Sequence, residues 1–227
     1  METSALTIGL LGAGKVGVVL AQLLIKAGYK VLIAGSGSVD KIALTVKVLA
    51  PGAIAKTKEE VSKEADIVIL ALPLGKYQAI PRKGLAGKLV IDAMNYWWEV
   101  DGERPDLQDL STSTSEIIQK YLSESRVVKA FSHIGYHDLH DETRPISHKE
   151  RKAIAIAGNN EQDVQQTAEL VEAIGFDPIC IGPLAFGIRL EPGSEVFGAH
   201  VKATELHKMI DNFPQTEKGK QVVAARR

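Results

Sequence analysis

The chain has 227 residues, 45% of them apolar, enough to bury one sizeable core or one core with a small appendage. Its formal charge is −1, with 27 Lys and Arg scattered among 28 Asp and Glu, which excludes the basic footprint of a nucleic-acid or anionic-membrane binder. The longest apolar run, Val16 to Ile25, is far short of the roughly 18 residues of a membrane helix, Met1-Glu2-Thr3-Ser4 does not read as a signal peptide, and one cysteine cannot form an intramolecular disulfide, so a cytoplasmic location is expected.

The first element is the most informative. Leu6 to Leu11 is an apolar run of strand type that leads directly into Gly12-Ala13-Gly14-Lys15-Val16-Gly17, a G-x-G-x-x-G string. Gly12 permits a tight turn, Gly14 lets backbone N–H groups approach a pyrophosphate, and Gly17 lets the following helix pack closely on the strand. That helix, Lys15 to Ala27, carries Val16, Val19, Leu20, Leu23 and Leu24 on one side and aims its positive end at the phosphates. Gly12 to Gly17 are therefore candidate cofactor-binding residues, and without a ligand they would be a glycine-rich turn.

The second strand, Tyr29 to Ala34, runs out into Gly35-Ser36-Gly37-Ser38-Val39-Asp40-Lys41. An acidic residue about 20 positions beyond the glycines would hold the ribose hydroxyls of NAD. None is present. Ser36, Gly37 and Ser38, with Lys41 one helical turn on, suit a 2′-phosphate and favour NADP(H), although the loop lacks an arginine and Ser38 serves equally as the N-cap of a helix from Val39 to Ala50.

Beyond a short strand at Ala53 to Ala55, Thr57 and Glu60 form a capping box that opens a helix to Ala65. Ala65 to Ala71 and Lys88 to Asp92 are nearly continuous apolar runs, as in strands covered on both faces, with a short helix near Lys76 to Ile80 between them. Ser113 and Glu116 make a second capping box for a helix to Leu122, and Arg126 to Phe131 is a sixth strand. Lys152 to Ala157, Asn160 to Ile174 and Asp177 to Ile181 add a strand, helix and strand, with Cys180 expected as a buried thiol. Helical periodicity returns between Ser194 and Ile210, before a polar tail expected to fray.

This alternation predicts an α/β protein: a Rossmann-type, doubly wound, mainly parallel sheet over residues 1–182 with a small helical extension at 183–227. Ligands of such sheets lie beyond the carboxyl ends of the strands. Leu72, Pro73 and Leu74 after the fourth strand, Asn95, Trp97 and Trp98 after the fifth, and Ser132, His133 and Ile134 after the sixth should thus join Gly12–Gly17 and Ser36 around the cofactor.

These loops resemble the NADP oxidoreductases that depend on the deazaflavin coenzyme F-420, whose fold is also similar to the cytoplasmic domain of the six-transmembrane ferric reductases. The resemblance runs from Leu6 to Leu184 and rests on Gly12–Gly17, Gly35-Ser36, Asp92-Ala93-Met94-Asn95, Val127-Val128-Lys129-Ala130-Phe131, Gly175-Phe176-Asp177-Pro178 and Gly182-Pro183-Leu184. It implies that Ser36 binds the 2′-phosphate, that Pro73 and Asn95 line the nicotinamide ribose, and that Ser132 to Ile134 lie between nicotinamide and acceptor. It also implies that Leu184 to Pro192 fold back over the acceptor pocket or form a dimer contact. Two positions depart from the family, which places Arg where Gly37 stands and Asn where Ser132 stands.

Trp97 and Trp98 cannot both enter one core from an extended segment, so at least one is a candidate to stack on a flat acceptor, a dimer contact or loop plug being the alternative. His133, His137, His140 and His148 are metal-ligand residue types, but Gly135 argues against the helix that would put His133 and His137 on one face, and no metal is expected. The usual Tyr-x-x-x-Lys proton donor is missing. Hydride exchange between two flat rings needs positioning more than a proton donor. The expected function is an NADPH-dependent oxidoreductase acting on a flavin-like or deazaflavin acceptor, as a homodimer, with His133 a candidate near the acceptor. The alternatives are a non-catalytic NADP-binding redox sensor and an imine or keto-acid reductase, the latter disfavoured by the few residues left after Ile181.

Overall fold

The computed structural model describes residues 6–227; Met1-Glu2-Thr3-Ser4, considered above as a possible leader, lie outside the described residues. Strand β1 (Thr7–Leu11) enters the glycine turn, and helix α1 (Lys15–Lys26) returns over the sheet with Val19, Leu20, Leu23 and Leu24 buried. The chain continues through β2 (Lys30–Ala34), α2 (Val39–Leu49), β3 (Ile54–Ala55), α3 (Lys58–Glu64) and β4 (Ile67–Leu70). A 3-10 segment, Leu74–Ala79, and α4 (Arg82–Leu85) lead to β5 (Leu89–Asp92); α5 (Trp98–Asp101) and α6 (Thr114–Tyr121) precede β6 (Arg126–Lys129). Both expected capping boxes are formed: Thr57 and Ser113 each accept from the backbone of the glutamate three residues on, whose side chain reaches back to the cap.

The strands make one eight-stranded sheet in the order β3-β2-β1-β4-β5-β6-β7-β8, with β7 (Ala153–Gly158) and β8 (Asp177–Gly182) flanking α8 (Glu161–Ala173). Strands β1 to β6 are parallel, so the order reverses at β1, between β2 and β4. This switch point is where such a sheet opens a crevice at the carboxyl ends of its strands. The expected α/β architecture is therefore found. One departure lies at β7, which pairs antiparallel to β6 through Val128 opposite Gly158 and Lys129 opposite Ala157. The connection through α7 (Tyr136–Asp141) brings the chain back to the sheet beside β6 but running the other way.

Two expectations are corrected at the far edge. Cys180 is exposed, because β8 pairs on one side only and side chains of neighbouring strand residues point to opposite faces, Ile179 inward and Cys180 outward. The C-terminal region is ordered differently from its periodicity. Residues from Ser194 to Gly198 form turns and 199–202 are irregular, helix α9 spans only Ala203–Asn212, and the polar tail is a capped helix, α10 (Glu217–Ala225), whose Val222 is buried with Phe213 and Ile188. Thr216 supplies the cap, and Gly219 fits where a Cβ would run into the Phe213 carbonyl. The segment Leu184–Leu190 is a 3-10 stretch with Leu184, Ile188 and Leu190 buried inside the same molecule.

Candidate functional site

The glycine turn is built for close approach. Gly12 has φ +129°, a region closed to most residues, and a Cβ there would fall inside the Ala71 carbonyl. Gly17 holds α1 against the turn so tightly that a Cβ would overlap the Gly12 carbonyl. Gly14 differs, since a Cβ on it would meet nothing within 4 Å. Protein packing therefore demands glycine at 12 and 17, whereas at 14 only something outside the protein would. Helix α1 begins at that point with no side-chain cap and no acid in its first turn, which leaves its first N–H groups and its positive end available to an anion. These features fit the pyrophosphate of a dinucleotide.

A cleft of about 850 Å³ opens here between the loops after β1, β2 and β4, lined by Gly12 to Gly14, Gly35, Ser36, Leu72 and Pro73. Gly37 and Ser38, on the loop that leads into α2, and Lys41, in its first turn, are exposed and are not among the residues that line the cleft. Lys58, at the start of α3, also lines the cleft, and its Nζ donates to the Ala79 carbonyl across it at 2.9 Å. Sequence reasoning missed Lys58, because the capping box at Thr57 accounted for that stretch without a ligand. Lys15 turns sideways to Tyr136, donating to its hydroxyl at 3.0 Å.

At the heads of β5 and β6 the structure joins Asn95 and Ser132, the Asn95 Nδ2 donating to the Ser132 carbonyl at 2.7 Å. Asn95 Oδ1 and Ser132 Oγ are both buried and have no protein partner, an expensive arrangement unless a ligand completes it. Phe131, immediately before, has φ +63°, the one positive φ at a non-glycine among the described residues. Such strain costs on the order of 1–3 kcal/mol and is held here by burial of the Phe131 ring, so the turn that presents Ser132 is fixed.

A buried charged pair holds the adjoining turn, the one that carries Asn95. Lys129 and Asp92 are fully buried, with Lys129 Nζ 3.3 Å from Asp92 Oδ2 and donating to the Met94 carbonyl at 2.6 Å. Asp92 also accepts from the Met94 N–H at 2.9 Å and from Ser115 Oγ at 2.6 Å. Two of these bonds, one from each member of the pair, end on the backbone of Met94, the residue before Asn95. The signal for it was a charged residue inside each of two otherwise apolar strand runs.

His133 does not face the cleft. Its side chain is 0% exposed, and its Nε2 accepts from the Ala155 N–H at 3.0 Å, tying the β6 loop to β7. Burial pushes its pKa down to about 4, only partly offset by the backbone at Ala199 and Val196. Between about 6.5 and about 4 the unfolded chain takes up a proton that the native chain refuses, so the stability due to the neutral ring is complete above 6.5 and is lost as the pH falls through 4. The whole loss is about 3 kcal/mol. Urea midpoints should drop across this window in the native protein and much less in His133→Gln; equal slopes would contradict a buried neutral imidazole.

Ile134 is buried as well, while Trp97 and Trp98 are 45% and 65% exposed. The Trp97 ring meets Phe197 edge-on at 5.4 Å, and the Gly198 N–H donates to the His133 carbonyl at 2.6 Å, so the C-terminal region closes on both loops. Asp101 fixes the Trp97 turn, accepting from the Trp97 and Gly75 N–H groups. Among the described residues no group of three or more His, Cys, Asp and Glu is placed to hold a metal ion, and no helix is long and apolar enough to cross a membrane. His140 pairs with Asp141, and His137 stacks on Tyr136.

A parallel sheet with a glycine turn, an uncapped helix start and a cleft at its switch point defines a dinucleotide-binding protein of the Rossmann class. Comparison with known proteins narrows this class. Residues 7–96 match the family model "NADP oxidoreductase coenzyme F420-dependent". The F420-dependent NADP reductase of Methanocaldococcus jannaschii is 26% identical over 167 residues, which cover 65% of this chain and 73% of that one. A hypothetical protein of Sinorhizobium meliloti superposes with a TM-score of 0.77 at 25% identity, over 88% of this chain and 97% of the other. A candidate F420-dependent NADP reductase from an Arthrobacter species has a TM-score of 0.67 at 24% identity, over 81% and 88%, and shares the fold. These similarities bear out the resemblance read from the loops, and they support NADP-linked oxidoreduction as the class of chemistry.

Proposed function

We propose that the protein is an NADPH-dependent oxidoreductase that exchanges a hydride between the nicotinamide and a flat acceptor of the flavin or deazaflavin type. The observation that carries this reading is the pair of buried, unpartnered oxygens on Asn95 and Ser132, joined to each other just beyond the carboxyl ends of β5 and β6. A nicotinamide ribose or carboxamide placed there would satisfy both groups. Bound NADPH supplies the hydride.

The chain's own residues then act by position. The Gly12–Gly17 turn and the start of α1 hold the pyrophosphate, Ser36 and its loop hold the adenosine end, and Leu72 and Pro73 wall the cleft, whereas Leu74, expected beside them, is fully buried in the core. The turn at Ser132, tied to Asn95, whose own turn Lys129 and Asp92 hold through Met94, fixes one face of the nicotinamide. With the imidazole of His133 directed into the core, no ring in that loop is offered as a proton donor, which suits hydride exchange between two stacked rings. The acceptor would approach over Trp97 and Trp98, and the residues around Phe197, part of the 183–227 extension, would keep water from the exchange.

We further take the protein to act in the cytoplasm as a homodimer. The helix α2 supports the second point, since Leu44 and Val48, one turn apart on it, are both largely exposed. The test of function is NADPH oxidation with FMN, FAD and the deazaflavin coenzyme supplied in turn. Turnover with at least one and not with simple ketones or imines supports this reading; turnover confined to imines or keto acids would replace it.

A further inference from the structure

The C-terminal extension encloses a second cavity, of about 400 Å³, that shares no lining residue with the cleft. It lies between the segment joining β5 to α6, the start of α6, the turn after Leu190 and the start of α10. We propose that this cavity binds a small organic monocation, a primary amine on an apolar body, whose ammonium pairs with the carboxylate of Glu191. The site stands apart from the dinucleotide cleft and does not depend on the reductase reading.

Glu191 lines the cavity with only 9% of its surface exposed. Its Oε1 accepts from both the N–H and the Oγ1 of Thr114, the first residue of α6, at 2.8 Å each, so the start of the helix offsets part of the cost of burying this charge. Oε2 has no donor among the described residues, and no side-chain cation of those residues comes within 4.0 Å of the carboxylate. Lys218, the cation in the lining, is turned elsewhere: its Nζ donates to the Pro192 carbonyl at 2.7 Å. Burial pushes the Lys218 ammonium below its ordinary pKa, and the charge of Glu191 opposes this only in part, as fits two groups that share a cavity without pairing. A buried carboxylate with one oxygen free and no counter-ion in contact is costly alone and is relieved by a cation that brings its own donors.

The rest of the lining defines the kind of cation. Asp109 and Glu217 are acidic and exposed, so the field at the cavity favours positive charge. Leu107, Leu110 and Pro192 give it an apolar wall. A metal ion does not fit, because among the described residues no group of three or more His, Cys, Asp and Glu is placed to hold one. An ammonium on a hydrocarbon body does fit, since it needs one strong acceptor and an apolar surface beside it.

The test is calorimetric titration of the full chain at neutral pH with hexylamine, and with hexanol, hexanoate and 6-aminohexanoate as neutral, anionic and zwitterionic counterparts of similar length. Hexylamine should bind at least about tenfold more tightly than hexanol, hexanoate should not bind, and 6-aminohexanoate should bind no better than hexylamine. Glu191→Gln keeps an oxygen for Thr114 and should weaken hexylamine about tenfold while leaving hexanol within about twofold. Gln221→Trp, at an exposed position of α10 on the cavity wall, leaves the buried carboxylate untouched and should exclude hexylamine by filling the space. Saturating NADPH should leave the hexylamine affinity within about twofold. The inference is overturned if hexylamine does not bind, if the alcohol or the zwitterion binds as tightly or more tightly, if NADPH displaces the amine, or if the folded variants bind it as the native protein does.

Discussion

Alanine at Gly12 or Gly17 is expected to abolish dinucleotide binding, whereas alanine at Gly14 is expected to spare the fold and weaken binding alone. The difference lies in what a Cβ would meet. At Gly12 it would fall into the Ala71 carbonyl, on a backbone with φ +129° that alanine avoids, and at Gly17 it would overlap the Gly12 carbonyl. Backbone cannot yield there as a flexible side chain can, so the turn must open and α1 must shift. We expect a lowered melting temperature and a loss of NADPH affinity of at least about 100-fold, equivalent to about 2.8 kcal/mol. At Gly14 the space is open and the φ of −81° is one alanine adopts readily. The melting temperature of Gly14→Ala should stay near that of the native protein while NADPH binding falls. Unchanged binding in Gly14→Ala would mean that no ligand backs onto this turn.

The second large effect is expected from the charged pair under the Asn95 turn. Lys129→Met leaves Asp92 buried with no counter-charge, although it keeps its bonds from Ser115 and the Met94 N–H. Loss of one partner from a buried pair costs about 3–5 kcal/mol. Asp92→Asn added to Lys129→Met removes the stranded charge and retains an oxygen for the Met94 N–H, so the double variant should be more stable than Lys129→Met alone. Urea unfolding of the native protein, Lys129→Met, Asp92→Asn and the double variant measures the coupling directly. Because Lys129 also holds the Met94 carbonyl, the double variant should bind NADPH more weakly than the native protein even where it is folded. Additive stability changes, or intact binding in the double variant, would remove the pair from the support of the site.

Most of the sheet was legible because its signals are local. Apolar runs covered on both faces gave β1, β4 and β5; the boxes at Thr57 and Ser113 marked α3 and α6; and the glycine spacing located the phosphate turn. The remainder depends on contacts distant in sequence. The reversed direction of β7 is set by where the chain arrives after α7, which no periodicity encodes. Cys180 lies in an apolar run, yet its strand is an edge, and only the strand order shows that. Helix α10 is polar by sequence and ordered by one buried valine and a threonine cap. In the site, His133 carried functional chemistry as a residue type, but its partner is the backbone of Ala155, on a strand that joins it only in the fold. Lys58 was hidden for the opposite reason, a local explanation sufficing for a residue that also reaches the cleft.

The most direct test of the central claim uses NADPH carrying deuterium at the transferable position of the nicotinamide, mixed with the protein and the oxidised deazaflavin, whose accepting atom is a carbon that retains the label. The account expects the reduced acceptor to contain the deuterium, with little of it lost to water, and expects NADPH to be used in preference to NADH. Tight NADPH binding without transfer to the deazaflavin or to any flavin would contradict the reductase and leave a nucleotide-binding sensor in its place.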